Sequence, residues 1–111
     1  MTVPLPPDQS ASRERHRYFA RDGRPISQVE WARSFDGDRA VAKTDCDEEV
    51  SVSTVYLGLN QFGSGPPLIF ETMIFGGDHD GWQARFSTEE QAAAAHESVV
   101  TALREGREPD A

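Results

Sequence analysis

The stretch Val50–Gly77, VSVSTVYLGLNQFGSGPPLIFETMIFGG, decides the fold, because β-branched and aromatic residues are denser in it than in the rest of the chain. Two runs dense in Val, Ile, Leu, Phe and Tyr flank Asn60 to Pro67, whose glycines and prolines are the punctuation that ends strands. The segment therefore predicts two long strands joined by a loop. In the first, the apolar positions Val50 and Val52 give way to Val55, Leu57 and Leu59, a change of phase that predicts a β-bulge near Ser53 and Thr54 or a strand covered on both sides. The second, Leu68 to Gly76, is apolar on both sides except at Glu71 and Thr72, which marks it as interior to a sheet.

Working outward on the N-terminal side, Arg39 to Thr44 alternates as a third strand, and the acidic run Asp45 to Glu49 is the turn after it. Before that, Ser27 and Glu30 form an S-x-x-E capping box for a short helix over Gln28 to Phe35 that places Trp31 and Phe35 on one face. Asp36-Gly37-Asp38 ends this helix. Arg21 to Arg24 is an Asp-Gly turn after a short strand over His16 to Ala20. Residues 1 to 12 hold three prolines and no periodicity, and predict a disordered arm.

On the C-terminal side, GDHDG (77 to 81) makes a turn into a last strand over Trp82 to Phe86. Ser87 with Glu90 repeats the capping-box pattern and opens the longest helix, Thr88 to about Glu105, stopped by Gly106. Its apolar stripe is Ala92, Ala95, His96, Val99 and Leu103, and residues 107 to 111 are expected to fray. The fold class is α+β. An antiparallel sheet of four or five strands carries a short helix in the N-terminal half and a long C-terminal helix on one face, within a single domain over 13 to 106.

The simplest hairpin registers, with Leu59 opposite Leu68 and Gly76 opposite Trp82, sort the side chains onto two faces. One collects Val55, Leu57, Leu59, Leu68, Phe70, Ile74, Trp82, Ala84 and Phe86, and is the expected core under the long helix. The other collects Thr54, Tyr56, Glu71, Met73, Phe75, Gln83 and Arg85. This second face is the candidate binding surface. Glu71 falls opposite Tyr56 and diagonal to Arg85, which supply partners for a carboxylate too costly to bury alone. A one-residue slip in register would dissolve the grouping.

Composition excludes several function classes. With 111 residues the chain holds one modest core, and its 37% hydrophobic content contains no apolar run long enough for a membrane span. A cytoplasmic setting is the expectation. The lone cysteine, Cys46, forms no internal disulfide and reads as an incidental thiol. Residues 1 to 35 carry six Lys/Arg against four Asp/Glu, whereas residues 36 to 111 carry five against fifteen. Nucleic acid is not an expected partner, since only Arg13, Arg15 and Arg17 cluster. No catalytic residues, cofactor or metal site are assigned. Asp78, His79 and Asp80 lack a ligand spacing, His96 reads as a core histidine, and the glycines at 63 and 65 make no phosphate cradle.

Three segments, VSTVYLGLN, GPPLIFETMIFGG and RFSTEEQAAAAHE, resemble short uncharacterised proteins of actinobacteria and their phages, over about Tyr18 to Val100. The resemblance implies a phage or mobile-element setting and carries no activity. The functional expectation is a non-enzymatic protein-interaction module, with a protein partner that includes a second copy of the chain as a homodimer. The alternative is a small ligand-binding protein or enzyme built on Tyr56, Glu71 and Arg85.

Overall fold

In a computed structural model, which describes residues 17–60 and 65–110, the Val50–Gly77 stretch forms the centre of an antiparallel meander. Strands β1 (Ala40–Asp45), β2 (Ser51–Tyr56), β3 (Phe70–Phe75) and β4 (Gln83–Phe86) lie in the order β1-β2-β3-β4. Helix α1 (Gln28–Arg33) continues into a 3-10 turn (Ser34–Asp36), and α2 (Glu89–Arg104) packs on the sheet. The α+β class follows directly. The predicted arm, Arg13 and Arg15 of the expected arginine cluster, and residues 61–64 of the Asn60–Pro67 loop lie outside the described residues. Of the strand expected over His16 to Ala20, the described part forms only two isolated bridges, Tyr18 with Leu59 and Phe19 with Pro25.

Local chemistry accounts for the element ends. Ser27 accepts from the Glu30 amide at 3.1 Å, and the Glu30 carboxylate accepts from the Ser27 amide at 3.3 Å, so both halves of the capping box form. The cap of α2 is displaced by one residue from expectation. Thr88, not Ser87, accepts from the Gln91 amide at 3.1 Å, and the Gln91 side chain accepts from the Thr88 amide at 3.2 Å. In STEEQ two overlapping capping boxes compete, and Gln91 also accepts from the Ser87 amide at 3.1 Å, which ties one more residue into the cap. The β3–β4 turn depends on Gly76 at φ +88, where a Cβ would meet the Glu49 carbonyl oxygen at 1.7 Å.

The strand register differs from the simplest hairpin, and the difference reassigns the faces. Tyr56 pairs with Phe70, Val55 with Glu71, and Val52 with Ile74, a one-residue shift from the Leu59–Leu68 pairing. Leu59 bridges Tyr18 instead. The bulge lies in β1, between Ala40 and Ala42, and β2 keeps an unbroken alternation in which Val52, Thr54 and Tyr56 all point inward. Between β3 and β4 the shift is two residues, which preserves the faces and sets Glu71 directly opposite Arg85 rather than diagonal to it. Val55, Leu57 and Leu59 therefore leave the expected core, whereas Phe70, Ile74, Trp82 and Phe86 remain in it.

The core has two apolar clusters under α2. Phe19, Tyr56, Ile69, Phe70 and Ala92 form one, and Val52, Ile74, Val99 and Val100 the other. Helix alanines at 92, 95 and 102 are buried, which lets α2 lie close on the sheet. Between the clusters runs a polar seam. His96, Thr54 and Thr72 are all 0% exposed. The two imidazole nitrogens of His96 bond the Thr54 hydroxyl at 2.8 Å and the Thr44 hydroxyl at 2.9 Å, and Thr54 bonds Thr72 at 2.6 Å. The chain of four residues joins α2 to β1, β2 and β3 with each buried group satisfied.

Candidate functional site

The face of the sheet opposite α2 is built by the alternate positions of the same strands. Its side chains are Lys43 and Asp45 from β1, Ser51, Ser53 and Val55 from β2, Glu71, Met73 and Phe75 from β3, and Gln83 and Arg85 from β4. Of the six residues expected to form the binding surface, Glu71, Met73, Phe75 and Arg85 share this face. Thr54 and Tyr56 do not. Both belong to the α2 side and are buried, Thr54 in the His96 seam and Tyr56 in the Phe19–Phe70 cluster. Threonine and tyrosine look like surface residues in a pattern scored by apolar content, but here their hydroxyls have buried partners.

At the centre, the Arg85 Nε donates to Glu71 at 3.2 Å across the β3–β4 pair. Their side chains are only 22% and 14% exposed, so the pair is shielded by its neighbours and anchors the strands to one another. Phe75, by contrast, is 49% exposed at the end of β3 near the Gly76 turn. No element of the described chain lies over Met73 and Phe75. Around them the charges balance, with Lys43 and Arg85 against Asp45 and Glu71.

The other end of this face is closed by α1. The Trp31 indole donates to the Leu57 carbonyl at 2.8 Å, and its ring lies 4.8 Å from Tyr18 and 4.7 Å, edge-on, from Phe35. Gly58 is required where the ring crosses the end of β2. It has φ +72, and a Cβ there would meet the Tyr56 ring at 2.7 Å and the Trp31 ring at 2.8 Å. The Tyr56 hydroxyl donates to the Phe19 carbonyl, and burial raises its pKa, so it stays protonated as a structural donor.

Between α1 and the sheet lies a cavity of about 400 Å³, lined by Trp31, Phe35, Arg39, Val55, Tyr56, Leu57, Leu59 and Arg85. Arg39 spans its wall. Its Nε donates to the Tyr56 carbonyl at 3.0 Å, its Nη2 donates to the Leu57 carbonyl at 2.6 Å, and its plane lies over Phe35 at 3.8 Å. Composition carries no signal for this cavity. It forms because the β1 bulge and the short helix bring Arg39, Trp31 and Phe35 together over the end of β2.

The weaker candidates disperse. His79 approaches Glu108 at 3.8 Å, and among the described residues no group of three or more His, Cys, Asp or Glu could hold a metal ion. His96 is committed to the threonine seam, and burial lowers its pKa, with the nearby Glu97 charge opposing. No helix among the described residues is long and apolar enough to cross a membrane. No protein-family model, curated protein or solved structure matches the chain.

Proposed function

We propose that this protein is a non-enzymatic protein-interaction module that uses the uncovered end of the open sheet face, around Met73 and Phe75, to engage a protein partner. The observation that carries the reading is Phe75, a large apolar side chain 49% exposed in a regular strand. Interfaces favour aromatic residues and methionine, and Met73 adjoins it on the same face. The favoured partner is a second copy of the chain. The chain as a whole has net charge −8, so most of its surface repels a copy, but this face sets Lys43 and Arg85 against Asp45 and Glu71 and meets itself without net repulsion. Helix α1, six residues long, covers only the Leu57 end of the face. A phage or prophage accessory role is the setting we propose with it, supported by the resemblance of the three segments quoted above.

In the enzyme or ligand alternative built on Tyr56, Glu71 and Arg85, Tyr56 is buried on the α2 side, away from the Glu71–Arg85 pair. Light scattering at high micromolar concentration tests the reading. The wild type is expected at dimer mass, through an interface of more than about 1,000 Å². Phe75→Asp and Glu71→Lys are expected nearer monomer mass, the latter because it sets two cations side by side with no carboxylate between them. A wild type at monomer mass refutes self-association.

A further inference from the structure

We propose that the cavity between α1 and the end of β2 binds a small amphipathic carboxylate, an aromatic or medium-length aliphatic body ending in one carboxylate group, with Arg39 as the anion-binding residue. Its volume, about 400 Å³, falls in the range of roughly 300–1,000 Å³ typical of small-molecule sites. Such sites have mostly apolar walls and a few placed polar groups. Here Trp31, Phe35, Val55, Leu57 and Leu59 supply the walls.

The described cations, taken together, point to an anion. Arg21, Arg24, Arg85 and Arg107 each have a carboxylate within ion-pair distance, namely Glu89, Asp22, Glu71 and Glu105. Arg17, Arg33, Lys43 and Arg104 are exposed to water. Arg39 is neither. It is partly buried against apolar walls, and among the described residues no carboxylate lies within ion-pair distance of it. Its two hydrogen bonds go to neutral backbone carbonyls, which fix the plane of the guanidinium and leave Nη1 without a partner among the described residues. Burial lowers its pKa, the cost of holding a cation in poorly hydrated surroundings, and an arriving carboxylate offsets that cost. The described carboxylates all lie beyond ion-pair distance of this guanidinium, which leaves the place for an external acid.

The same geometry sets the ligand class. Arg85, the second guanidinium at the cavity, is held by Glu71, so the site offers one uncommitted positive group and suits a single negative charge. Multiply charged phosphates are underserved, since among the described residues no glycine-rich run of amides lines the cavity. The cavity lies at the Leu57 end of the face and Phe75 at the other, with Arg85 bordering both, and a titration read at Trp31 is distinct from the mass measurement that tests the interface.

Titration of the wild-type protein with octanoate and, separately, with 1-octanol tests the proposal, read by NMR from the indole N–H resonance of Trp31, whose bond to the Leu57 carbonyl borders the cavity. The expected result is a saturable shift with octanoate at a dissociation constant at least about tenfold below that of octanol, the difference a charge-assisted hydrogen bond supplies. Arg39→Gln is expected to abolish that difference while leaving octanol binding unchanged. Equal affinities for the acid and the alcohol in the wild type, or no shift with either at millimolar concentration, would overturn the proposal. The wild-type comparison decides even where the variant does not fold.

Discussion

Replacing Thr54 by valine keeps the shape of the side chain and removes its hydroxyl from the middle of the buried seam. Two hydrogen bonds go with it, at 2.6 Å to Thr72 and at 2.8 Å to His96, and both former partners are 0% exposed. Each buried polar group left without a partner costs about 1–3 kcal/mol, so the two together cost about 2–6 kcal/mol. The added methyl group returns about 0.8 kcal/mol. Thr72→Val is the internal control. It removes only the Thr54–Thr72 bond, and Thr54 keeps His96, so its cost is about 0.5–1.5 kcal/mol before the same methyl gain. In the double variant only the His96 nitrogen is left without a partner, and the Thr54–Thr72 bond is lost once rather than twice, so the two changes are less than additive by about 1.5–4.5 kcal/mol. Urea denaturation with a common m-value measures all three. Thr54→Val no more harmful than Thr72→Val, or strict additivity in the double variant, would show that the seam does not act as a connected chain.

Three other perturbations follow from the same packing. Burial lowers the pKa of His96 below its usual 6.5, so the folded state refuses a proton that the unfolded chain accepts. Its contribution is intact above about pH 6.5, is lost progressively as the pH falls below that value, and levels off once the folded form is protonated; denaturant midpoints at pH 7.5 and 5.5 should show the drop, and equal midpoints refute it. Phe70→Ala empties a fully buried site under α2 and should cost about 3–5 kcal/mol, whereas Leu57→Ala, at the half-exposed cavity wall, should cost clearly less in the same urea titrations. Gly76→Ala combines a φ of +88 with a Cβ placed 1.7 Å from the Glu49 oxygen, so a loss of more than about 1–3 kcal/mol is expected in thermal melts, and an unchanged melting temperature would contradict the turn geometry.

The sequence made the elements legible because each carries its own local signal. Ser27 and Glu30 mark the start of α1, the glycines at 76, 77 and 81 bracket the β3–β4 turn, and the alanines of α2 mark a helix that lies close on a sheet. What the sequence left open was register. The β2–β3 connection is long and its loop chemistry fixes no offset, so pairing by apolar content chose Leu59 with Leu68, one residue from the observed pairing of Tyr56 with Phe70. That slip exchanged the faces of β2 and moved Thr54 and Tyr56 into the candidate site. Glu71, Met73, Phe75 and Arg85 stayed together because a two-residue shift between β3 and β4 keeps parity. The burial of Thr54 and Thr72 is intelligible only with His96 between Thr44 and Thr54, a contact spanning 42 residues from helix to strand that no local pattern encodes. The Arg39 cavity was hidden for the same reason, since it depends on a bulge in β1 and on the docking of Trp31 at Leu57.

The central claim, that the sheet is covered by α2 on one side and meets a second copy through Met73 and Phe75 on the other, is tested most directly by hydroxyl-radical footprinting at low and high protein concentration. Both residues are expected to be oxidised at nanomolar concentration and protected at high micromolar concentration, with Ile74 and Val52 unmodified throughout. Equal oxidation of Met73 and Phe75 at the two concentrations, or modification of Ile74 in place of Met73, would contradict it.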